Sequence, residues 1–314
     1  MSDRQPLVVP KYLLTGVSGL LGLNLAKHLT AKGLPISGLS WRKEVRLERL
    51  EYCSCDLRNA DRLRSLILGI RPDIVIHCAA ATDVDWCETN PEAAWSINAL
   101  PCAAVASAVN EIGGIFVLIS TDSVFDGATG NYEENDVPRP LNAYAKSKLA
   151  AEQLVSRNAE RWIIIRTNIY GWNGQQKNSL SEWILQELSA GRTITGFDDA
   201  VFAPLLAWDL GPLIEKMVAR KVRGIYHAGA SHSISKYDFA RQLAAIYGLN
   251  ERAISRGKLA DAKFLAPRPL NTSLSSAKLQ KELDLALPSI EDGLKRFHEQ
   301  GMNGWARNLK ELIL

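Results

Sequence analysis

No stretch of this sequence approaches the roughly 18 apolar residues of a membrane span, so no membrane partner is expected. It also lacks any run of clustered Lys and Arg. Its formal net charge is only +3, which argues against a nucleic-acid partner. Residues 1–11 lack the basic start and long apolar run of a secretory signal. Cysteines are few and odd in number: Cys53, Cys55, Cys78, Cys87 and Cys102. In a chain of 314 residues these do not read as a disulfide framework. Cys53 and Cys55 share one face of a predicted strand, which is poor metal geometry without further ligands. All five read as small buried hydrophobes, no metal is expected, and a cytoplasmic location follows. There is no internal repeat and no low-complexity linker.

What is present is the balance of a globular enzyme, with 46% hydrophobic and 23% charged residues. A chain of this length buries most of its apolar surface without staples. Short apolar runs alternate with amphipathic ones. Strands are predicted at 12–14, 34–39, 51–55, 73–78, 115–119 and 162–165, and helices at 20–32, 59–70, 91–110 and 142–158. Pro101 is expected to kink the third helix, and Gly33 to end the first. Continuous apolar strands between helices imply a parallel sheet covered on both faces. The fold class is therefore α/β, a Rossmann doubly wound parallel sheet with a smaller, mostly helical C-terminal substrate lobe. Residues 1–170 form the dinucleotide-binding domain, with 197–229 returning to it. Residues 171–314 are mainly the substrate lobe, with helices at 178–191, 206–220, 235–247 and 290–299 and one strand at 224–227.

The first chemical signal is Gly16-x-x-Gly19-x-x-Gly22, between the first strand and the first helix. A phosphate there meets backbone N–H groups at the positive end of a helix, and glycines allow its close approach. This spacing differs from the Gly-x-Gly-x-x-Gly of many dehydrogenases. The second signal is Tyr144 with Lys148, four residues apart and so on one helix face. A nearby ammonium favours the phenolate and lowers the phenol pKa, and a tyrosine so tuned can protonate an alkoxide. Upstream, an apolar strand ends in Ser120-Thr121, at the sheet edge where ligands bind. Thr121 presents a hydroxyl there for a substrate oxygen.

In that order these residues resemble the extended short-chain dehydrogenase/reductase family, and within it the dTDP-4-dehydrorhamnose reductase group. The stretches that carry the resemblance are 71–85 (RPDIVIHCAAATDVD), 97–99 (INA), 120–127 (STDSVFDG), 140–149 (PLNAYAKSKL) and 268–279 (RPLNTSLSSAKL). The resemblance implies Thr121, Tyr144 and Lys148 as catalytic residues. Asn98 is the implied fourth member, supporting a proton relay through water and Lys148. The substrate it implies is a nucleotide-linked 4-keto-6-deoxy sugar, reduced by hydride from the nicotinamide, with Tyr144 supplying the proton and Lys148 binding the ribose. Two departures fall in the substrate region. Ser123 stands where the group usually has Tyr, and residues 198–205 read DDAVFAPL in place of Asp-Gln-x-Gly-x-Pro-Thr. Trp172 and Trp183 are candidates to line a base pocket.

Cofactor choice turns on the end of the second strand. No acid appears there until Glu44, whereas Ser40, Arg42 and Lys43 offer a phosphate site. NADP(H) is therefore expected in preference to NAD(H), which stays possible. The expected cofactor contacts are Gly16, Ser18, Gly19, Leu20, Leu21 and Gly22 in the first turn and Ser40, Trp41 and Arg42 after the second strand. Asp56 and Leu57 follow the third strand, and the resemblance implies Asp56 as the residue that meets the adenine amino group. Cys78, Ala79, Ala80 and Ala81 follow the fourth. Asn98, Ser120, Tyr144, Lys148 and Arg166 complete the set. A homodimer is possible. Two other readings fit the same scaffold: a non-catalytic NADP-binding subunit like the β-subunit of methionine adenosyltransferase, and a sugar-nucleotide epimerase or dehydratase; a dehydratase would place an acid beside Thr121, where Asp122 follows but Ser123 stands for the expected Glu.

Overall fold

The computed structural model describes residues 9–314; the first eight, part of the stretch read above for a targeting signal, lie outside the described residues. In chain order the first half runs β1 (Tyr12–Thr15), α1 (Leu20–Ala31), β2 (Ile36–Ser40), β3 (Leu50–Ser54), α2 (Ala60–Ile70), β4 (Ile74–His77), α3 (Val84–Thr89), α4 (Pro91–Asn98), α5 (Pro101–Ile112), β5 (Ile115–Thr121), α6 (Ala143–Asn158) and β6 (Trp162–Thr167). The second half adds β7 (Ile169–Tyr170), α7 (Leu180–Ser189), β8 (Ile194–Phe197), β9 (Val201–Phe202), β10 (Leu205–Leu206), α8 (Ala207–Ala219) and β11 (Gly224–Ala228). Then come β12 (Ile234–Ser235), α9 (Lys236–Ile246), β13 (Ile254–Gly257), α10 (Ala277–Leu283), α11 (Ile290–Met302) and α12 (Trp305–Glu311).

Seven strands pair in the order β11-β6-β5-β4-β1-β2-β3, all parallel. The order reverses between β1 and β4. At such a switch point a crevice opens outside the carboxyl ends of the strands. The central strands are buried on both faces because helices cover both. One face packs Leu14, Ile76 and Val117 with Leu25 of α1 and Leu210 and Ile214 of α8. The other packs Leu13, Val75 and Phe116 with Leu63 of α2 and Val105 and Val109 of α5. Cys55 and Cys102 lie in this second core, whereas Cys53, expected to be buried, is half-buried against it at the sheet edge strand β3. A separate cluster holds the second lobe together, built on Tyr170, Leu188, Phe202, Phe239, Leu243 and Phe297.

Local chemistry sets the helix ends. Asn59 and Asn142 accept from Arg62 N and Ala145 N as N-caps of α2 and α6. Ser179 and Glu182 form a capping box on α7. Gly33, at φ +74°, closes α1 by donating to Thr30 O. The helix expected over 91–110 is two helices. Pro101 lacks an N–H and its ring opposes a continuous helix, so the chain breaks at Ala99-Leu100 and Pro101 opens α5 instead of kinking one long helix. The short helices α3, α10 and α12 are absent from the sequence-based prediction.

Candidate active site

A cleft of about 610 Å³ runs along the carboxyl edge of the sheet. Gly16, Ser18, Gly19, Leu20, Leu21 and Gly22 form its floor at the switch point. Gly16 has φ +67°, and a Cβ there would stand 2.7 Å from the Ala79 backbone. A Cβ at Gly22 would run into the Gly16 carbonyl. These two glycines therefore serve the tight turn and the approach of helix to strand. At Gly19 a Cβ would meet only Gly16 O, at 3.2 Å, and Gly19 itself lines the cleft.

Gly19 caps α1 without a side-chain hydrogen bond, and the first helical bond runs from Leu23 N to Gly19 O at 2.9 Å. The amides of Leu20, Leu21 and Gly22 are left at the cleft floor, the arrangement that binds phosphate. The residues present thus fit a dinucleotide. From the second half, Gln175 Nε2 donates to Ser18 O at 2.9 Å and brings residues 173–180 over this floor.

At one end of the cleft lie Ser40, Trp41, Asp56 and Leu57. Arg42 is exposed on the face of Trp41, its Cζ 4.1 Å from the ring centroid, and is not part of the wall. Arg58, which sequence reasoning missed, is part of it. It binds Asp56 through Nε at 3.0 Å and Nη2 at 2.6 Å, and this partner holds the Asp56 carboxyl below its ordinary range.

Cys78, Ala79 and Ala80 line the middle, and Ser120, Thr121, Tyr144 and Lys148 the far end. Burial raises the Cys78 thiol to about 12, which makes it a hydrophobe and not a nucleophile. Lys148 Nζ donates to Ile119 O at 2.7 Å. Burial lowers the Lys148 pKa, opposed by Cys102 and Glu152. The Tyr144 phenol is raised, chiefly by burial and further by Asp122, while the Thr121 hydroxyl pulls it back. This corrects the expected lowering by Lys148: the ammonium is turned to a strand carbonyl, and desolvation dominates.

Thr121 Oγ1 donates to Asp122 Oδ1 at 3.1 Å and accepts from Ser123 N at 3.1 Å. Asp122 itself takes four donors: Thr121 and Ser123 on Oδ1, and Asn168 at 2.8 Å and Thr272 at 2.6 Å on Oδ2. It is 1% exposed. No motif signals this knot, because Asn168 and Thr272 come from distant parts of the chain.

Four expected site residues lie outside the cleft walls. Asn98 is fully buried; its Oδ1 accepts from Ala81 N at 2.7 Å, and its Nδ2 donates to Ala81 O and Ser147 Oγ. Both donors are spent inside the protein, so Asn98 clamps the loop after β4 to α6. Ala81 is the other half of that clamp. Arg166 is 2% exposed and pairs with Glu152 through Nε and Nη2, at 3.0 and 2.7 Å. It reaches the cleft only through Ser120 Oγ, which donates to the same carboxylate. Arg42 is the fourth, standing at the rim. The two tryptophans also differ from expectation. Trp172 stacks on Phe297 at 4.3 Å, and Trp183 is exposed on α7 away from the walls. Among the described residues no three His, Cys, Asp or Glu are grouped to hold a metal, and no helix is long and apolar enough to cross a membrane.

A doubly wound sheet whose switch point offers bare helix amides, with a phenol and an ammonium further along the same edge, is built for hydride chemistry. It is an NAD(P)-dependent oxidoreductase of the extended short-chain dehydrogenase/reductase class. Residues 10–302 match the family described as RmlD substrate binding domain, and the chain belongs to that family. It is 31% identical to the dTDP-4-dehydrorhamnose reductase of Salmonella typhimurium, over 90% of this chain and 95% of the relative. It is 30% identical to methionine adenosyltransferase 2 subunit beta of Danio rerio, over 86% of this chain and 84% of that one. The crystal structure of dTDP-4-dehydrorhamnose reductase from Bacillus anthracis in complex with NADP superposes with a TM-score of 0.81 at 28% identity, covering 93% of this chain and 99% of that one.

Proposed function

We propose that this protein is an NADPH-dependent reductase of the keto group of a nucleotide-linked 4-keto-6-deoxy sugar, of the dTDP-4-dehydrorhamnose reductase kind. One observation carries the reading: Thr121, Tyr144 and Lys148 open into the same cleft as the uncapped start of α1. NADPH is the preferred cofactor and NADH a possible one. Bound NADPH supplies the hydride that reduces the carbonyl carbon. Tyr144 gives its phenol proton to the alkoxide oxygen, and Thr121, whose hydroxyl hydrogen rests on Asp122 Oδ1, turns it to that oxygen when substrate is bound. Lys148 has one donor on Ile119 O, which leaves two of its three for the cofactor ribose and the proton path. Burial keeps Tyr144 protonated, which suits an acid in the direction of reduction.

The dehydratase alternative needs a free acid beside Thr121. Asp122 has its oxygens committed to four donors and is buried, so it serves as a strut. The division of labour that goes with this reading assigns dinucleotide binding to 1–170 with 197–229, and the sugar nucleotide mainly to 171–314. A cytoplasmic location and a homodimer belong to the same proposal.

The test is turnover of a panel of dTDP-, UDP- and GDP-linked 4-keto sugars, read as NADPH consumption. Reduction of at least one is the expected result. Tight NADPH binding with no turnover, together with co-purification of a methionine adenosyltransferase catalytic subunit, would replace it with the regulatory reading.

A further inference from the structure

Arg58 has no assigned task, although it stands in the cleft wall beside Trp41 and Asp56. We propose that Arg58 is a second ligand of the cofactor 2′-phosphate, which it grips together with Arg42. The inference rests on the NADPH reading and extends it to a residue in the turn after a different strand.

The two turns that carry these arginines are stitched together. Trp41 and Arg42 follow β2, and Arg58 follows β3, its parallel neighbour. Cys55 N donates to Ser40 O at 2.9 Å and Ser54 Oγ donates to Trp41 O at 3.2 Å. The Ser40 hydroxyl donates to Lys43 O and bends the first turn, so that the Trp41 side chain is 45% exposed at the rim. Both guanidiniums then lie on this one indole, Arg42 at 4.1 Å and Arg58 at 4.7 Å from the ring centroid. The two Cζ atoms are therefore no more than about 9 Å apart, the span of a phosphate with a guanidinium on each side.

Donor counting lets Arg58 do this without leaving Asp56. A guanidinium has five N–H donors in a fixed fork. Nε and one Nη2 hydrogen face the Asp56 carboxylate. The two Nη1 hydrogens and the other on Nη2 stay available. Asp56 thus orients Arg58, taking its backbone N–H on Oδ1 as well as the guanidinium. A plain surface ion pair would explain the Asp56 contact alone. It would not explain why the same guanidinium shares an exposed indole with Arg42 at the cleft wall.

The experiment is calorimetric titration of the full chain with adenosine 2′,5′-bisphosphate and with adenosine 5′-monophosphate. Wild type is expected to favour the bisphosphate. Arg58→Ala should weaken the bisphosphate about tenfold to a hundredfold, the range for one charge-assisted contact, and leave the monophosphate unchanged. Arg58→Lys should restore part of the loss. Unchanged bisphosphate binding in Arg58→Ala overturns the proposal while leaving the NADPH reading intact. Equal loss of both probes also overturns it, because Arg58 would then merely support Asp56. Equal binding of both probes by wild type overturns the cofactor preference itself.

Discussion

The floor of the cleft and its chemical end are made of different material. The floor is backbone: the turn at Gly16, Gly19 and Gly22 and the bare amides of α1, contributed by one continuous segment. The chemical end is side chains from distant segments. Asp122 gathers Thr121, Ser123, Asn168 and Thr272, and Glu152 gathers Ser120 and Arg166. The first kind of site is local and tolerant of sequence change elsewhere. The second is only as good as the long-range packing that assembles it, and one lost partner leaves a buried polar group unmatched.

Tyr144→Phe should break the chemical end alone. It removes the proton and keeps the ring, so turnover of a 4-keto substrate should fall by about 10²–10⁴-fold with NADPH affinity kept. Steady-state rates and a cofactor titration on the same preparation check this. Gly19→Val should do the reverse. It adds a side chain on the cleft floor beside the α1 amides, and losing one or two charge-assisted contacts should weaken NADPH about tenfold to several hundredfold. The melting temperature should change little, whereas Gly22→Val collides with the Gly16 backbone and should destabilise the fold as well.

That contrast also explains what the sequence revealed. The sheet, the glycine turn and the order Thr121, Tyr144, Lys148 are local patterns, and periodicity and spacing expose them. Arg166 and Asn98 lie in stretches that look like site motifs, yet both face inward. Their partners Glu152, Ala81 and Ser147 are known only once the strands pair. Likewise the four-residue spacing puts Tyr144 and Lys148 on one face but says nothing of Ile119 O, which takes the ammonium. Arg58 was legible in principle, two residues after Asp56, but only the pairing of β2 with β3 brings it to Trp41.

Smaller effects sharpen the comparison. Thr272→Val leaves Asp122 Oδ2 one donor short and should cost about 1–3 kcal/mol of stability in denaturant titration, with a lower turnover number. Arg42→Ala should weaken NADPH about tenfold and leave NADH unchanged by fluorescence titration. The pH effect is smaller still. With the Tyr144 pKa above its ordinary 10.0, the acid form persists as pH rises, so reduction should not decline through loss of this proton between about pH 7 and 9. An alkaline difference titration of cofactor-free wild type against Tyr144→Phe should place this phenol above ordinary tyrosine. Ionisation at or below that value would restore a dominant role for Lys148 in tuning it.

Isotope labelling follows the transferred hydride itself. Wild-type protein is mixed with a dTDP-4-keto-6-deoxy sugar and NADPH deuterated on the transferring face of the nicotinamide, and the sugar is read by mass spectrometry and NMR. One deuterium is expected in the sugar, at C4, with loss of the keto group and stoichiometric formation of NADP⁺. An unlabelled, unreduced sugar beside tightly bound NADPH would contradict the reductase reading.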